Sequence, residues 1–349
     1  MLIGLIGAAG LVGKVVIKCL QDDLTFNSEL IDFKFYTRES GCGLKYILHK
    51  KKVIIEKFLM TIFEDNFFDF IILATENDIS SEIIGYANRL NLKTKFIDLS
   101  SEFRLQDNIP LVIPEVNPED LNLNSNIISS PNCTTTFLVM LLKALEPLGI
   151  IRRVIISTYQ SASGAGTKGI EELKQQTLDW FYHKDINKVR IDFWKKPLLF
   201  NVFSHNSSLQ PNLYNSEEMK IIKETQKIFH RPDLKITPTC VRVPVLTSHC
   251  ESINVEFDTN ILKDDIINKL ENFPGIKILD NCEENKFPEP FICSGINDIY
   301  VGRIRPDLDD MTCWNFFVCG DQLIKGSGLN AVQILANLVN LVNSPKVKI

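Results

Sequence analysis

The sequence predicts an α/β protein with two domains, and three observations carry that expectation. Its 349 residues exceed what one hydrophobic core ordinarily organises. Short apolar runs alternate with helical stretches through the first half, the pattern of a parallel sheet wound on both faces. The first of those runs, residues 1–6, passes through Gly7, Gly10 and Gly13 into LVGKVVIKCLQDD, whose apolar residues recur at helical spacing.

That opening order of strand, glycine turn and helix makes a phosphate cradle. Glycine lets the backbone approach a pyrophosphate, and the helix start supplies free N–H groups and a positive dipole end. The spacing is GxxGxxG rather than GxGxxG, and a βα turn without a nucleotide could share it. Its place directly after the first strand favours the cradle. Further strands are expected in LIDFKFYTR (30–38), FFDFIILAT (67–75), TKFIDLS (94–100) and NIISS (126–130). The basic HKKK at 49–52 reads as a solvated hairpin or loop. At the end of LIDFKFYTR, Thr37 and Arg38 offer a hydroxyl and a guanidinium suited to a 2′-phosphate. Asp32 has the spacing of a ribose-binding acid but lies at the strand's start, and Glu39 could reach the ribose if the turn begins later.

Composition narrows the function. The chain is 45% hydrophobic and 23% charged with net charge −5, so no electrostatic case exists for a nucleic acid partner. The N-terminal stretch lacks a positive leader region and reads as strand and turn, and no run is apolar enough to span a membrane. Nine cysteines without CxxC pairs suggest free thiols and a reducing, cytoplasmic compartment. The spacing of Cys240, His249 and Cys250 matches no usual zinc pattern, so no metal is expected.

The chemistry-bearing candidate is Cys133, in SSPNCTTTFL (129–138). The run after it, TTTFLVMLLKALEPLG, reads as a helix stopping before Pro147, which puts the thiol at a helix start. There the dipole favours a thiolate, and Asn132 can cap the helix or aim an amide at an oxyanion. A buried helix-start cysteine without chemistry is the plainer reading of this motif alone. Farther on, SEEMKIIKETQKIF (216–229) predicts a helix with Ser216 as N-cap. Glu217 and Lys220 then share a face, while Met219, Ile222 and Phe229 form the packed side. Arg242, among the valines of CVRVPV, carries a planar fork suited to a carboxylate.

Four more blocks keep company with SSPNCTT: STYQSASGAG (157–166), CVRVPVLTSHCESINVEF (240–257), VGRIRPD (301–307) and GDQLIKGSGLNAVQI (320–334). Together they resemble the aspartate-β-semialdehyde dehydrogenase family over nearly the whole chain. The resemblance implies a doubly wound Rossmann-type NADP domain (1–131), completed by the final amphipathic helix (326–349). It also implies an α+β catalytic and dimerisation domain (132–325) with an antiparallel-rich sheet. The implied reaction is NADPH-dependent reductive dephosphorylation of L-aspartyl 4-phosphate to L-aspartate 4-semialdehyde and phosphate, through a cysteine thioester. Its place is in lysine/diaminopimelate, threonine and methionine biosynthesis, in a homodimer or a dimer of dimers.

By resemblance Cys133 is the nucleophile, His249 the acid/base and Gln160 the amide that orients substrate or thioester. Of the five histidines only His249 lies in a family-like block, with His205 in FNVFSHN next. Arg242 would take the substrate carboxylate, Glu217 its ammonium, and Lys220 and Arg104 its phosphate, with Arg104 in the family-like IDLSSEFR (97–104). The cofactor would meet Gly7, Ala9, Gly10, Leu11, Val12, Thr37, Arg38, Ser163, Gly164 and Asn330. Ala9 stands where the family often has threonine, and ATENDIS (74–80) replaces a glycine-serine loop. The neighbouring alternative, N-acetyl-γ-glutamyl-phosphate reductase, usually reads PGCY where this chain has Pro131-Asn132-Cys133-Thr134. A non-catalytic nucleotide-binding scaffold would not keep Cys133, Gln160, Arg242 and His249 together, and a cysteine hydrolase would need no dinucleotide loop.

Overall fold

The computed structural model describes residues 1–38 and 40–343. The chain divides into two compact units, one of residues Met1–Asn132 with Ser327 onward, the other Cys133–Gly326. Among the described residues no helix is long and apolar enough to cross a membrane.

The first unit is built on seven strands: β1 (Leu2–Ile6), β2 (Asp32–Thr37), β3 (Lys45–Leu48), β4 (Lys51–Lys57), β5 (Phe70–Leu73), β6 (Lys95–Asp98) and β7 (Ile127–Ser129). Their order is β3-β4-β2-β1-β5-β6-β7. Every pairing is parallel except the β3–β4 hairpin. Helices α1 (Leu11–Asp22), α2 (Ile62–Asp65), α3 (Asn77–Arg89) and α9 (Leu329–Asn343) complete the unit. β5, FIIL, shows why this is a sheet covered on both faces. Phe70 and Ile72 join Val16 and Leu20 of α1 and Ile334 and Leu338 of α9 in one core, while Ile71 and Leu73 join Ile83 and Ile84 of α3 in another. A strand buried on both sides has no polar position to alternate, hence its unbroken apolar run. The basic segment is the β3–β4 turn: His49 and Lys50 both adopt positive φ, the left-handed pair a two-residue hairpin needs.

The second unit has a mixed sheet ordered β12-β13-β14-β11-β8-β10-β9. Its strands are β8 (Ile151–Gln160), β9 (Phe203–Ser204), β10 (Lys235–Arg242), β11 (His249–Phe257), β12 (Ile276–Ile278), β13 (Ile299–Pro306) and β14 (Cys313–Gly320). β8–β10 and β12–β13 are parallel and the other pairings antiparallel. The helices are α4 (Cys133–Leu145), α5 (Gly166–His183), α6 (Ser216–Ile228), α7 (Lys263–Glu271) and α8 (Pro290–Cys293). α4 is buried on all sides from Thr134 to Leu142, packed against α6, α7 and the sheet, and beyond its three buried threonines it is apolar all round for that reason.

Two details of α6 differ from the sequence expectation. Asn215, not Ser216, is the N-cap, in a reciprocal capping box with Glu218. The buried side carries Glu217, Glu218, Ile221, Glu224, Thr225 and Ile228, while Met219, Ile222 and Phe229 are only half-buried. Hydrogen bonds explain the reversal. Glu218 serves the cap and also accepts the Cys240 N–H at 3.1 Å, so a carboxylate can face the sheet where apolar periodicity alone would put a methionine.

Candidate active site

Sheet register gathers the second unit's polar side chains. Gln160 ends β8 and Arg242 ends β10, and these two residues are direct parallel neighbours. His249 opens β11, whose next residue, Cys250, pairs with Tyr159 of β8. Three strand ends therefore meet at one edge of the sheet. Parallel β8 and β10 run toward that edge and antiparallel β11 leaves it, so residues 82 and 89 positions away from Gln160 become its neighbours.

The histidine ring is fully buried, and its Nδ1 accepts the Ser161 backbone N–H at 3.1 Å. A backbone amide can only donate, so the lone pair of the neutral ring lies on Nδ1 and its proton on Nε2. Nε2 is buried without a partner among the described residues. It faces Gly164, where a Cβ would lie 2.8 Å from Nε2 and 2.9 Å from Arg242 Nη1. Only a glycine leaves that space open. Burial, then the nearby Arg242 charge, lowers the His249 pKa to about 3. The same causes lower His205, at the β9 end, to about 4.

Arg242 is buried, with Nη1 donating to the Ser161 carbonyl at 3.1 Å and Nε to Asn206 Oδ1 at 3.5 Å. Desolvation presses its pKa down, while Glu217 and Cys133 support the charge. Gln160 holds a second chain of contacts. Its Nε2 donates to Glu217 Oε1 at 3.0 Å, its Oε1 accepts from Thr158 Oγ1 at 3.1 Å, and Lys220 Nζ donates to Glu217 Oε2 at 3.2 Å. Cys133 is the first residue of α4 and is half-buried. A Cβ on Gly326 would come within 2.7 Å of the Cys133 Cβ, so bare backbone packs beside the thiol-bearing residue.

Two residues of this network had no place in the sequence reading. Ser161 orients His249, and its hydroxyl meets Ser163 Oγ at 3.0 Å. Gln322 donates to Ser163 Oγ and accepts the Ser248 N–H at 2.9 Å, bracketing the histidine from two loops. Both lie in family-like blocks, QSASGAG and GDQ, which was the available signal.

The first unit holds the other candidates. Gly7 adopts φ +90°, its amide and that of Ala8 donate to the Tyr36 carbonyl, and a Cβ there would lie 2.2 Å from the Ala74 carbonyl oxygen. Gly10 is the N-cap of α1 and makes no side-chain cap bond, so the amides of Leu11 and Val12 open the helix toward the glycine loop. A Cβ on Gly41 would come within 2.5 Å of the Ala9 Cβ. Thr37 Oγ1 donates to the Ser40 carbonyl at 3.3 Å, and exposed Arg38 pairs with exposed Glu76 at 3.6 Å. Glu39 lies outside the described residues. Asn330 is buried, its Nδ2 donating to Val112 O and Ser130 Oγ, and its Oδ1 meets no donor among the described residues. A bare glycine cradle, an uncapped helix start and an orphaned carbonyl fit a dinucleotide with a carboxamide. Arg104 is buried beside Asp98, with Nη2 donating to Leu99 O at 2.9 Å. Asn132 is buried directly before α4.

The histidine's lowered pKa has a consequence for stability. An unfolded histidine takes its proton near pH 6.5, whereas the buried ring does so only near 3. Across that window the unfolded state binds more protons, so stability present above 6.5 is lost as pH falls. The expected slope from this residue is about 1.4 kcal/mol per pH unit. Denaturant midpoints measured at about pH 7.5 and pH 5.5 should therefore diverge less in His249→Asn than in the unchanged protein. An equal divergence would contradict a neutral buried ring.

A glycine cradle in one unit and, in the other, a thiol at a helix start and a histidine–arginine cluster are the parts a semialdehyde dehydrogenase needs. Residues 2–124 match the model for a semialdehyde dehydrogenase NAD binding domain, and residues 142–325 that for a semialdehyde dehydrogenase dimerisation domain. The chain belongs to the aspartate-semialdehyde dehydrogenase family. It is 37% identical to the aspartate-semialdehyde dehydrogenase of Prochlorococcus marinus, over 95% of this chain and 94% of that one. It is 34% identical to the Bacillus subtilis enzyme over 97% of both chains. The crystal structure of aspartate semialdehyde dehydrogenase II from Vibrio cholerae superimposes with a TM-score of 0.87 at 32% identity, covering 97% of this chain and 98% of that one. The same protein complexed with ASA matches with the same score at 31% identity.

Proposed function

We propose that this chain is an NADP-dependent aspartate-semialdehyde dehydrogenase, active as a homodimer. The single observation that carries the reading is the meeting of Gln160, Arg242 and His249 at one sheet edge in the unit that begins with Cys133. The residues divide the work by chemistry. Cys133 attacks the acyl phosphate of L-aspartyl 4-phosphate, phosphate leaves, and a thioester remains; sulfur serves both as nucleophile and as leaving group. Arg242 receives the α-carboxylate on its fork, and Glu217 the ammonium. Lys220 and Arg104 receive the phosphate, and Gln160, fixed by Thr158 and Glu217, orients the acyl group. Gly7, Ala9, Gly10, Leu11, Val12, Ser163, Gly164 and Asn330 would hold the dinucleotide, which would supply a hydride when bound.

The tautomer refines the role of His249. With its proton on Nε2 it is a hydrogen-bond donor toward the reacting oxygen and stabilises the oxyanion as charge develops there. The ring keeps that proton and stays neutral in both directions of the reaction. Asn132 adds an amide beside the helix start.

The test is direct. Incubation with L-aspartate semialdehyde, phosphate and NADP⁺ should produce NADPH absorbance that depends on phosphate. Turnover of N-acetylglutamate semialdehyde instead would move the protein to the neighbouring reductase family.

Preference for the phosphorylated cofactor rests on Thr37 and Arg38 at the carboxyl end of β2. Arg38 now pairs with Glu76, an exposed contact of little energetic worth that a 2′-phosphate can displace. Arg38→Ala should lower kcat/KM for NADPH about tenfold and leave NADH nearly unchanged. Equal kcat/KM for the two cofactors in the unmutated protein would refute the preference.

A further inference from the structure

Behind Arg242 lies a buried polar assembly that the reaction does not use. The Arg242 guanidinium carbon sits 5.4 Å from the centre of the Trp194 ring, within range for a cation–π contact. Trp194 is 1% exposed and belongs to the irregular segment 190–199, which has no helix or strand to hold it. Side chains of α5 hold it instead. The Glu172 carboxylate accepts the backbone N–H groups of Phe193 and Trp194, the latter at 3.2 Å. Gln176 Oε1 accepts those of Leu198 and Leu199, both at 2.9 Å, and its Nε2 donates to the Arg190 carbonyl at 2.9 Å. The indole N–H donates to the Gly169 carbonyl at 3.3 Å, and a Cβ on Gly169 would come within 2.8 Å of the ring. Glu172 and Gln176 are buried acceptors satisfied by one loop's backbone, an arrangement that fixes the loop's path.

The consequence falls on Arg242. Its Nη1 and Nε are engaged, the indole lies against it, and Nη2 has no acceptor among the described residues. We propose that Trp194, held by Glu172 and Gln176 of α5, is a positioning residue that presents the Arg242 fork to the substrate carboxylate. It thereby sets affinity for the acidic aldehyde and leaves the affinity for phosphate alone. The inference rests on the reading of Arg242 as the carboxylate ligand. A desolvated cation–π contact also offsets part of the cost of burying the guanidinium, and it does so in one orientation.

The experiment measures KM for L-aspartate semialdehyde, KM for inorganic phosphate and kcat in Trp194→Leu, Trp194→Phe and Arg242→Lys. Trp194→Leu should raise the aldehyde KM about tenfold, with the phosphate KM and kcat within about twofold. Trp194→Phe, which keeps an aromatic face, should recover most of that loss. In the Arg242→Lys background, itself raised in aldehyde KM, adding Trp194→Leu should cost little more, since the two act through one contact. If Trp194→Leu does not fold, Trp194→Phe carries the test with a rise of about threefold confined to the aldehyde. A uniform change in all three constants, or full additivity with Arg242→Lys, overturns the inference. An unchanged aldehyde KM in Arg242→Lys overturns the carboxylate reading beneath it.

Discussion

Replacing Cys133 by serine should leave no measurable phosphate-dependent NADPH production, a loss on the order of 10⁴-fold or more in kcat. The cause is chemical rather than architectural. Serine at the start of α4 keeps the Cβ that packs against Gly326 and sits in the same helix terminus. In the proposed mechanism, what changes is the nucleophile. An alcohol is barely ionised near neutral pH, and an ester gives up its alkoxide far less readily than a thioester gives up its thiolate. The helix dipole cannot close that gap, because its contribution at a terminus is about 1 kcal/mol. NADPH binding, read by fluorescence, should be unchanged, since the expected dinucleotide contacts lie elsewhere. Near-wild-type turnover in Cys133→Ser would remove the residue from the chemistry; loss of cofactor binding together with turnover would point to a folding defect.

The second large effect belongs to His249→Asn. We expect kcat to fall between about 10² and 10⁴-fold, with KM for the aldehyde within a few-fold of its original value. In the proposed mechanism, hydrogen-bond donation from Nε2 is felt as charge develops on the reacting oxygen, not when substrate binds. Asparagine can still offer an amide hydrogen toward Gly164, so part of the oxyanion stabilisation can survive, but its shorter side chain does not place that donor where the ring places Nε2. The pH profile supplies a second readout. A ring whose pKa burial has lowered to about 3 stays neutral through the ordinary working range, so it should impose no break in kcat/KM between about pH 5.5 and pH 8. A pronounced histidine-like inflection there would contradict the buried, Ser161-anchored tautomer. A pure KM effect would make His249 a binding residue.

The fold's legibility varied with the kind of signal. The strands of the first unit are readable because each is a short unbroken apolar run buried on both faces, as β5 illustrates. The β3–β4 hairpin is readable because HKKK interrupts that pattern with charge. α6 was read less well. Its buried stripe contains three glutamates, and hydrophobic periodicity has no means of representing a carboxylate that is buried because a backbone amide of a neighbouring strand and a capping box satisfy it.

For the candidate site, the local sequence determined two things. One is the cradle, where Gly7, Gly10 and Gly13 stand between strand and helix within thirteen residues. The other is a cysteine at a helix start, given by Asn132-Cys133 and the apolar run that follows. Both are legible because the order of strand, glycine and helix, or of loop and helix, is local, although Tyr36 and Ala74 close in on Gly7 from neighbouring strands. Gln160, Arg242 and His249 could be named from the blocks they occupy, but no local rule makes them neighbours. That depends on β8 pairing in parallel with β10 and antiparallel with β11, a long-range choice of register. The tautomer of His249 and the seat of Arg242 on Trp194 belong wholly to the tertiary structure. A backbone N–H at 3.1 Å and an indole face at 5.4 Å come from segments distant in sequence, and each exerts its effect only because burial has removed the water that would otherwise compete for the imidazole and the guanidinium.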